Sequence, residues 1–537
     1  MKKNIKYIAL FAAAAVFVSC ENEFDQSVEN GDFFDAGQAD FTKFVSVGNS
    51  LTSGFADGAL YLEGQENSFP NIMAQQFEFV GGGEFNQPLV NDNLGGLLLN
   101  GTQITPNRFV LAGEEVLIDN ELVALPTVPI VLNGTPTTEI TNKFTGPLNN
   151  FGVPLARVFH LVAPGYGSIA GVPAGTANPF FARFSSSDTA TVIDDAAAAN
   201  GTFFTLWIGN NDILAYATSG GIGVDNNQTG QTSPAMQGDN SITNNNTFAG
   251  VYASLVAKMT ANGAKGALIN IPDVTSIPFF TTVPFAPFAP NNPTFAPRIP
   301  ALNAFYAQLN QAFTAFGFPE RSVTFSTTAA SPAVIRDETL TDITPQLTVA
   351  LTPQFGPLAG FVAQQFGQIR PATANDLLTL TSSRVLGQVN QTRLAQLIGA
   401  GLPPETAGLL SFNGLTFALQ DQFTLTPDEQ SRIASAQASY NATIAGLAQA
   451  NGLAFVDARS VLQGVAQGGV PYNGGLLTSV FARGGAFSLD GVHPTPRGYA
   501  FTANTIIQAI NAKYGSTIPG VDIGQYKSVQ PSNGLPQ

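Results

Sequence analysis

Short apolar runs separated by helical patterns constrain this chain more than any other feature. Phe44-Val45-Ser46-Val47, Thr202 to Ile208, Ala267 to Ile271 and Leu453 to Val456 offer no consistently polar face. A strand without a polar face must be covered on both sides, as a central strand of a parallel sheet between helix layers is. The intervening segments agree. Phe69, Ile72, Met73 and Phe77 repeat at helical spacing behind Ser68 and Pro70, residues 192–199 are alanine-rich, and Val251, Leu255, Val256 and Met259 form another stripe. Thr426-Pro427-Asp428-Glu429 is a capping box ahead of Ile433, Ala436, Tyr440 and Ile444, with Gly452 as its stop. Thr495-Pro496 opens a last helix bearing Ile506, Ile507 and Ile510. The expected class is α/β with a parallel sheet.

Two regions break this rhythm. Residues 80–148 hold Gly and Asn clusters around alternating runs such as Glu115–Ile118 and Val128–Leu132, which predict a hairpin or two. Residues 320–420 form a second insertion with helical pieces expected around Leu377 and Leu397, while 300–316 is helical. The proline-punctuated segment 278–300, with Phe279, Phe280, Phe285, Phe288 and Phe295, is neither helix nor central strand and is a candidate wall for an apolar pocket.

Charge excludes one class of function. A net charge of −15 and a pI near 4.5, with no cluster of Lys and Arg, leave nothing to hold a nucleic-acid backbone. At the amino terminus, Lys2, Lys3 and Lys6 precede an apolar run from Tyr7 to Val18 that is too short to span a bilayer comfortably. Ser19-Cys20 follows, and this arrangement resembles a bacterial lipobox, whose cysteine is lipidated. Cys20 is the sole cysteine, so no internal disulfide and no cysteine-based metal site is expected. The acidic, Asn- and Gly-rich residues up to 40 read as a tether, which makes the chain an envelope lipoprotein of the outer membrane, attached by lipid alone.

The chemistry is expected at strand ends. Ser50 follows the first strand at Gly48-Asn49-Ser50-Leu51, in the loop where open α/β sheets place their ligands. A serine hydroxyl becomes a nucleophile only when a base takes its proton, and the chain has two histidines. His160 stands among Val158, Phe159 and Leu161 and reads as a packed side chain. His493 lies in a loop just before a helix, with Asp490 three residues earlier to hold its tautomer. Gly209-Asn210-Asn211-Asp212 closes another strand, where an asparagine amide can face a developing negative charge.

Taken in order, Gly48-Asn49-Ser50-Leu51, Gly209-Asn210-Asn211-Asp212 and Asp490-Gly491-Val492-His493 resemble the serine, Gly-X-Asn-Asp and Asp-X-X-His blocks of the SGNH hydrolases, also called GDSL esterases and lipases. The resemblance implies a flavodoxin-like three-layer α/β/α sandwich over 41–515 carrying the two insertions, between a signal peptide and tether (1–19, 20–40) and a tail (516–537). It implies ester hydrolysis without cofactor or metal: Ser50 as nucleophile, His493 as general base and acid, Asp490 as its orienter, and Asn211 with the Ser50 N–H at the oxyanion. Two departures accompany it. Asn49 replaces the family's aspartate, and Leu155 stands where the family has an oxyanion glycine, with Gly152 as the rival donor. The ordinary α/β-hydrolase elbow is excluded, since Thr52 occupies the place its second glycine requires. The alternative is a non-catalytic glycan- or lipid-binding lipoprotein, which needs the anchor but not an intact Ser, Asn, Asp and His set.

Overall fold

The computed structural model describes residues 33–112, 115–118, 121–124, 128–529 and 531–532. The signal peptide and Cys20 lie outside them. Five parallel strands form the central sheet: β1 (Phe44–Gly48), β2 (Asn150–Gly152), β3 (Phe203–Trp207), β4 (Lys265–Ile269) and β5 (Ala454–Val456), in the order β5-β4-β3-β1-β2. Read from the other edge this is 2-1-3-4-5, a doubly wound order. Gly48 pairs with Gly152 on one side and Trp207 on the other, so the ends of β1, β2 and β3 lie level. The connections leave β1 and β3 in opposite directions. A crevice opens there, at the carboxyl edge.

Helices cover both faces of the sheet, except for one that belongs to a second core. In chain order they are α1 (Ser50–Ser53), α2 (Phe69–Phe77), α3 (Val192–Ala198), α4 (Asn211–Thr218), α5 (Asn245–Thr260), α6 (Ile299–Ala315), α7 (Pro427–Ala450), α8 (Ala458–Gln467) and α9 (Pro496–Tyr514), and α6 is the exception. On one face α2 packs with α9; on the other α7 packs with α5 and α4. Phe203 shows why the strands have no polar side. Its ring meets Phe41, Phe77 and Tyr514, while its neighbour Phe204 is equally buried on the opposite face. Each such ring contributes about 1.5–3 kcal/mol by leaving water. The capping box of α7 forms as expected: the Thr426 N–H donates to Glu429 Oε2 at 2.7 Å.

Three expectations are corrected. Residues 33–40 are not a free tether, because Asp35 and Gln38 are hydrogen-bonded to Thr517 and Tyr514, and Ala39 is buried. Leu377 lies in a two-residue strand, Leu377–Leu378, paired with Thr424–Leu425, rather than in a helix. Finally, the second inserted region does not begin at 320, because it takes in the helix α6. Its buried Leu302, Tyr306 and Leu309 join Phe288, Val334, Leu347 and Leu397 in a second core of its own, which therefore starts well before residue 320. Phe288 and Phe295 stack inside that core, 5.2 Å between centroids, instead of lining a pocket. The expected hairpins are present, with Phe109–Ala112 against Val128–Val131 and Glu115–Ile118 against Glu121–Ala124. No helix among the described residues is long and apolar enough to cross a membrane.

Candidate active site

Ser50 is positioned by the turn that ends β1. A side chain at Gly48 would collide with Thr52 Oγ1 and the Trp207 carbonyl oxygen, so the strand can turn this tightly only at glycine. Asn49 Oδ1 accepts from the Leu51 N–H at 3.0 Å, and its Nδ2 donates to Asn210 Oδ1 at 3.1 Å. A neutral amide both accepts and donates, whereas an ionised aspartate only accepts. Asn49 thus ties the β1 turn to the β3 turn, which accounts for the first departure from the family pattern.

His493 reaches Ser50 from the far end of the chain. Its Nε2 is 2.9 Å from Ser50 Oγ and its Nδ1 is 2.8 Å from Asp490 Oδ2. The loop before α9 folds on itself to allow this: Asp490 Oδ1 accepts the N–H groups of Val492 and His493, both at 2.8 Å, and the Gly491 N–H donates to the Ser488 carbonyl. Thr495 then caps α9 by accepting from the Gly498 N–H at 3.1 Å. Phe55 lies against the imidazole, 4.8 Å between centroids. Burial works against the Asp490 charge, but His493 and the two N–H donors outweigh it and hold this carboxyl below its ordinary value. It is therefore an acceptor for Nδ1–H at neutral pH.

The structure adds residues that sequence reasoning missed. The Gly58 N–H donates to Asp490 Oδ2 at 2.9 Å, and Ser488 Oγ donates to Oδ1 at 3.2 Å. Asp57, with a positive φ of 52°, accepts the Leu489 N–H and the Tyr61 hydroxyl, and Arg108 stands 3.9 Å away. The only local signal is the Asp57-Gly58 pair, which reads as an ordinary turn. Burial, reinforced by the nearby Asp490 charge, pushes the Asp57 carboxyl up to about 6. A carboxyl that binds its proton more tightly when folded favours the fold below its unfolded pKa and loses that contribution as pH rises through about 6. Two pKa units correspond to about 3 kcal/mol as an order of magnitude. Asp57→Asn should therefore gain melting temperature relative to the parent between about pH 4.5 and pH 8. A difference that does not change with pH contradicts this.

Of the candidate oxyanion donors, three fit and one does not. Leu155 adopts φ +67°, the left-handed conformation that glycine takes without strain, and its side chain is 65% exposed. Its N–H has no acceptor among the described residues, nor has that of Ser50. Asn211, the first residue of α4, donates one Nδ2 hydrogen to the Ala156 carbonyl at 2.9 Å, which fixes the amide and leaves the second free. Ser50, Leu155, Asn211 and His493 line one cavity. Gly152 is the corrected assignment: its N–H is already bound to Asn150 Oδ1 at 2.9 Å inside the sheet. Alanine is not tolerated at 152 either, because its Cβ would collide with the Ser53 backbone.

These positions separate in kinetics. Asn211→Ala should lower the turnover number with an ester about a hundredfold to a thousandfold and barely move KM, since the bond matters chiefly in the transition state. Leu155→Gly should keep activity because it relieves backbone strain and loses little packing. Leu155→Pro, without an N–H and with φ locked near −65°, should be severely impaired. Equal losses for Leu155→Gly and Leu155→Pro sink the assignment.

His160 is half-buried at the edge of the same cavity, with its ring committed elsewhere. Its Nδ1 accepts the Arg157 N–H, its ring stacks on Tyr166 at 4.5 Å, and burial with the Arg157 charge pushes its pKa down to about 4. Asp212, last of the Gly-X-Asn-Asp block, is structural: it accepts from Thr243 Oγ1 and the Val158 N–H, joining the β3 turn to the segment after Leu155. No cluster of His, Cys, Asp and Glu placed to hold a metal ion occurs among the described residues. No family model, curated protein or solved structure matches the chain.

Proposed function

We propose that this chain is a serine ester hydrolase of the SGNH type, held at the cell envelope by a lipid on Cys20. The observation that supports the reading is the unbroken relay from Asp490 Oδ2 through His493 to Ser50 Oγ, each step under 3 Å. A lipid- or glycan-binding protein has no use for that relay or for unpaired N–H groups facing the same crevice.

In the reaction, His493 Nε2 takes the Ser50 proton as Oγ attacks the ester carbonyl carbon. The carbonyl oxygen becomes an oxyanion facing the Ser50 and Leu155 N–H groups and the free Asn211 amide hydrogen. Collapse breaks the carbon–oxygen bond to the alcohol, and His493 returns its proton to the leaving alkoxide. A water then repeats the sequence on the acyl-enzyme, with His493 as base, releasing the acid and restoring Ser50. Asp490 stays ionised throughout and keeps the Nδ1 proton in place.

One experiment tests both halves. Expressed with its leader, the parent protein should sediment with membranes and hydrolyse p-nitrophenyl butyrate. Cys20→Ser should be released with turnover unchanged, and Ser50→Ala should stay with membranes and lose hydrolysis. An active Ser50→Ala refutes the chemistry; a membrane-bound Cys20→Ser refutes the anchor.

A further inference from the structure

Two cavities of opposite character meet at Ser50, Asn211 and His493. One is a broad mouth of about 940 Å³, edged by Leu155, Phe279 and Asp490 and by Phe109 and Arg384 from the inserted segments. The other is a smaller slot of about 120 Å³ beside His493, walled by strand ends of the sheet and by the helices α8 and α9. Its walls are built on purpose-shaped faces. Val461, Leu462 and Val465 come from one side of α8, Phe501 and Thr505 from one side of α9, and Trp207 from the end of β3. The spacings are those of a single helix face, so each helix turns one stripe toward the cavity, with Val465 also buried in the main core and Leu462 and Phe501 packed against it.

We propose that this slot holds the acyl chain of the ester, that the chain is of medium length, about eight carbons, and that the broad mouth takes the alcohol. This rests on the serine-hydrolase reading above. Apart from Thr502 and Thr505, the polar side chains lining the slot are those at its Ser50 end, so a sugar or glycerol placed inside would find too few partners for its hydroxyls, at a cost of roughly 1–3 kcal/mol per unpaired hydroxyl. A hydrocarbon tail loses nothing there. The slot's length sets the chain. Gly498 and Thr505 line the same wall, and their separation along α9 at about 1.5 Å per residue is ~10 Å, the reach of roughly eight methylenes.

The test is kcat/KM for p-nitrophenyl acetate, butyrate, octanoate and palmitate with the full-length protein in detergent. The parent should gain several-fold per added pair of methylenes up to octanoate and gain nothing further at palmitate. Leu462→Trp and Thr505→Phe, half-buried on opposite walls, should each lower the octanoate-to-acetate ratio by at least about tenfold. Val349→Trp, 75% exposed on the second core, is the control and should leave the ratio as it was. A parent that hydrolyses acetate as well as octanoate, or a folded wall variant with an unchanged ratio, overturns the slot assignment while leaving the hydrolase reading intact. No hydrolysis of any ester overturns both.

Discussion

His493→Ala should lower turnover of a p-nitrophenyl ester by about three to six orders of magnitude, the range expected when one member of a serine relay is removed. Nothing else in the crevice can replace it. The carboxyl nearest the imidazole is Asp490, which faces Nδ1 rather than Ser50, and the other histidine is bonded to Arg157 and stacked on Tyr166. His160→Ala should therefore leave turnover within a few-fold of the parent when the protein is folded. Pre-steady-state traces make the distinction sharper: the p-nitrophenol burst should disappear in His493→Ala and persist in His160→Ala. Equal losses in two folded variants contradict the assignment of the base.

Asp490→Asn should cost about ten-thousandfold in turnover. The new amide can still accept the Val492 and His493 N–H groups through its oxygen, so the loop keeps its shape. Its nitrogen, however, faces His493 Nδ1 and the Gly58 N–H, where the carboxylate had accepted both. An amide donor there forces Nδ1 to accept and moves the imidazole proton to Nε2, where it can no longer take the Ser50 proton. The reduced turnover should recover as pH is raised toward values where hydroxide ionises serine directly. A loss of less than about tenfold means that Asp490 does not set the tautomer.

The parts of the fold legible in sequence were those whose cause is local. Phe203 to Trp207 reads as a buried strand because four of its five side chains are apolar and they leave no polar face, and Thr426 with Glu429 announces a helix start because both hydrogen-bond partners lie within one turn. The relay was legible for a similar reason: Asp490 and His493 are three residues apart, and Ser50 ends an unmistakable strand. What escaped depends on distant chain. Leu377–Leu378 has no strand signal of its own and takes its conformation from Thr424–Leu425. α6 has the stripe of a helix that covers a sheet, and only tertiary packing decides that Leu302 and Tyr306 meet Val334 and Leu347 instead. Asp57 and Gly58 look like any turn until Asp490, more than four hundred residues later, is laid against them. Leu155 is the reverse case, since its residue type argued against the left-handed backbone that the structure gives it.

The most direct test of the central claim is intact-mass analysis after treatment with a fluorophosphonate, which forms a stable bond only to a serine whose proton a neighbouring base removes. The account predicts a single phosphonyl group, mapped by peptide sequencing to Ser50, absent in Ser50→Ala and formed at least about a thousandfold more slowly in His493→Ala. An unlabelled parent protein, or a label on any other residue, contradicts it.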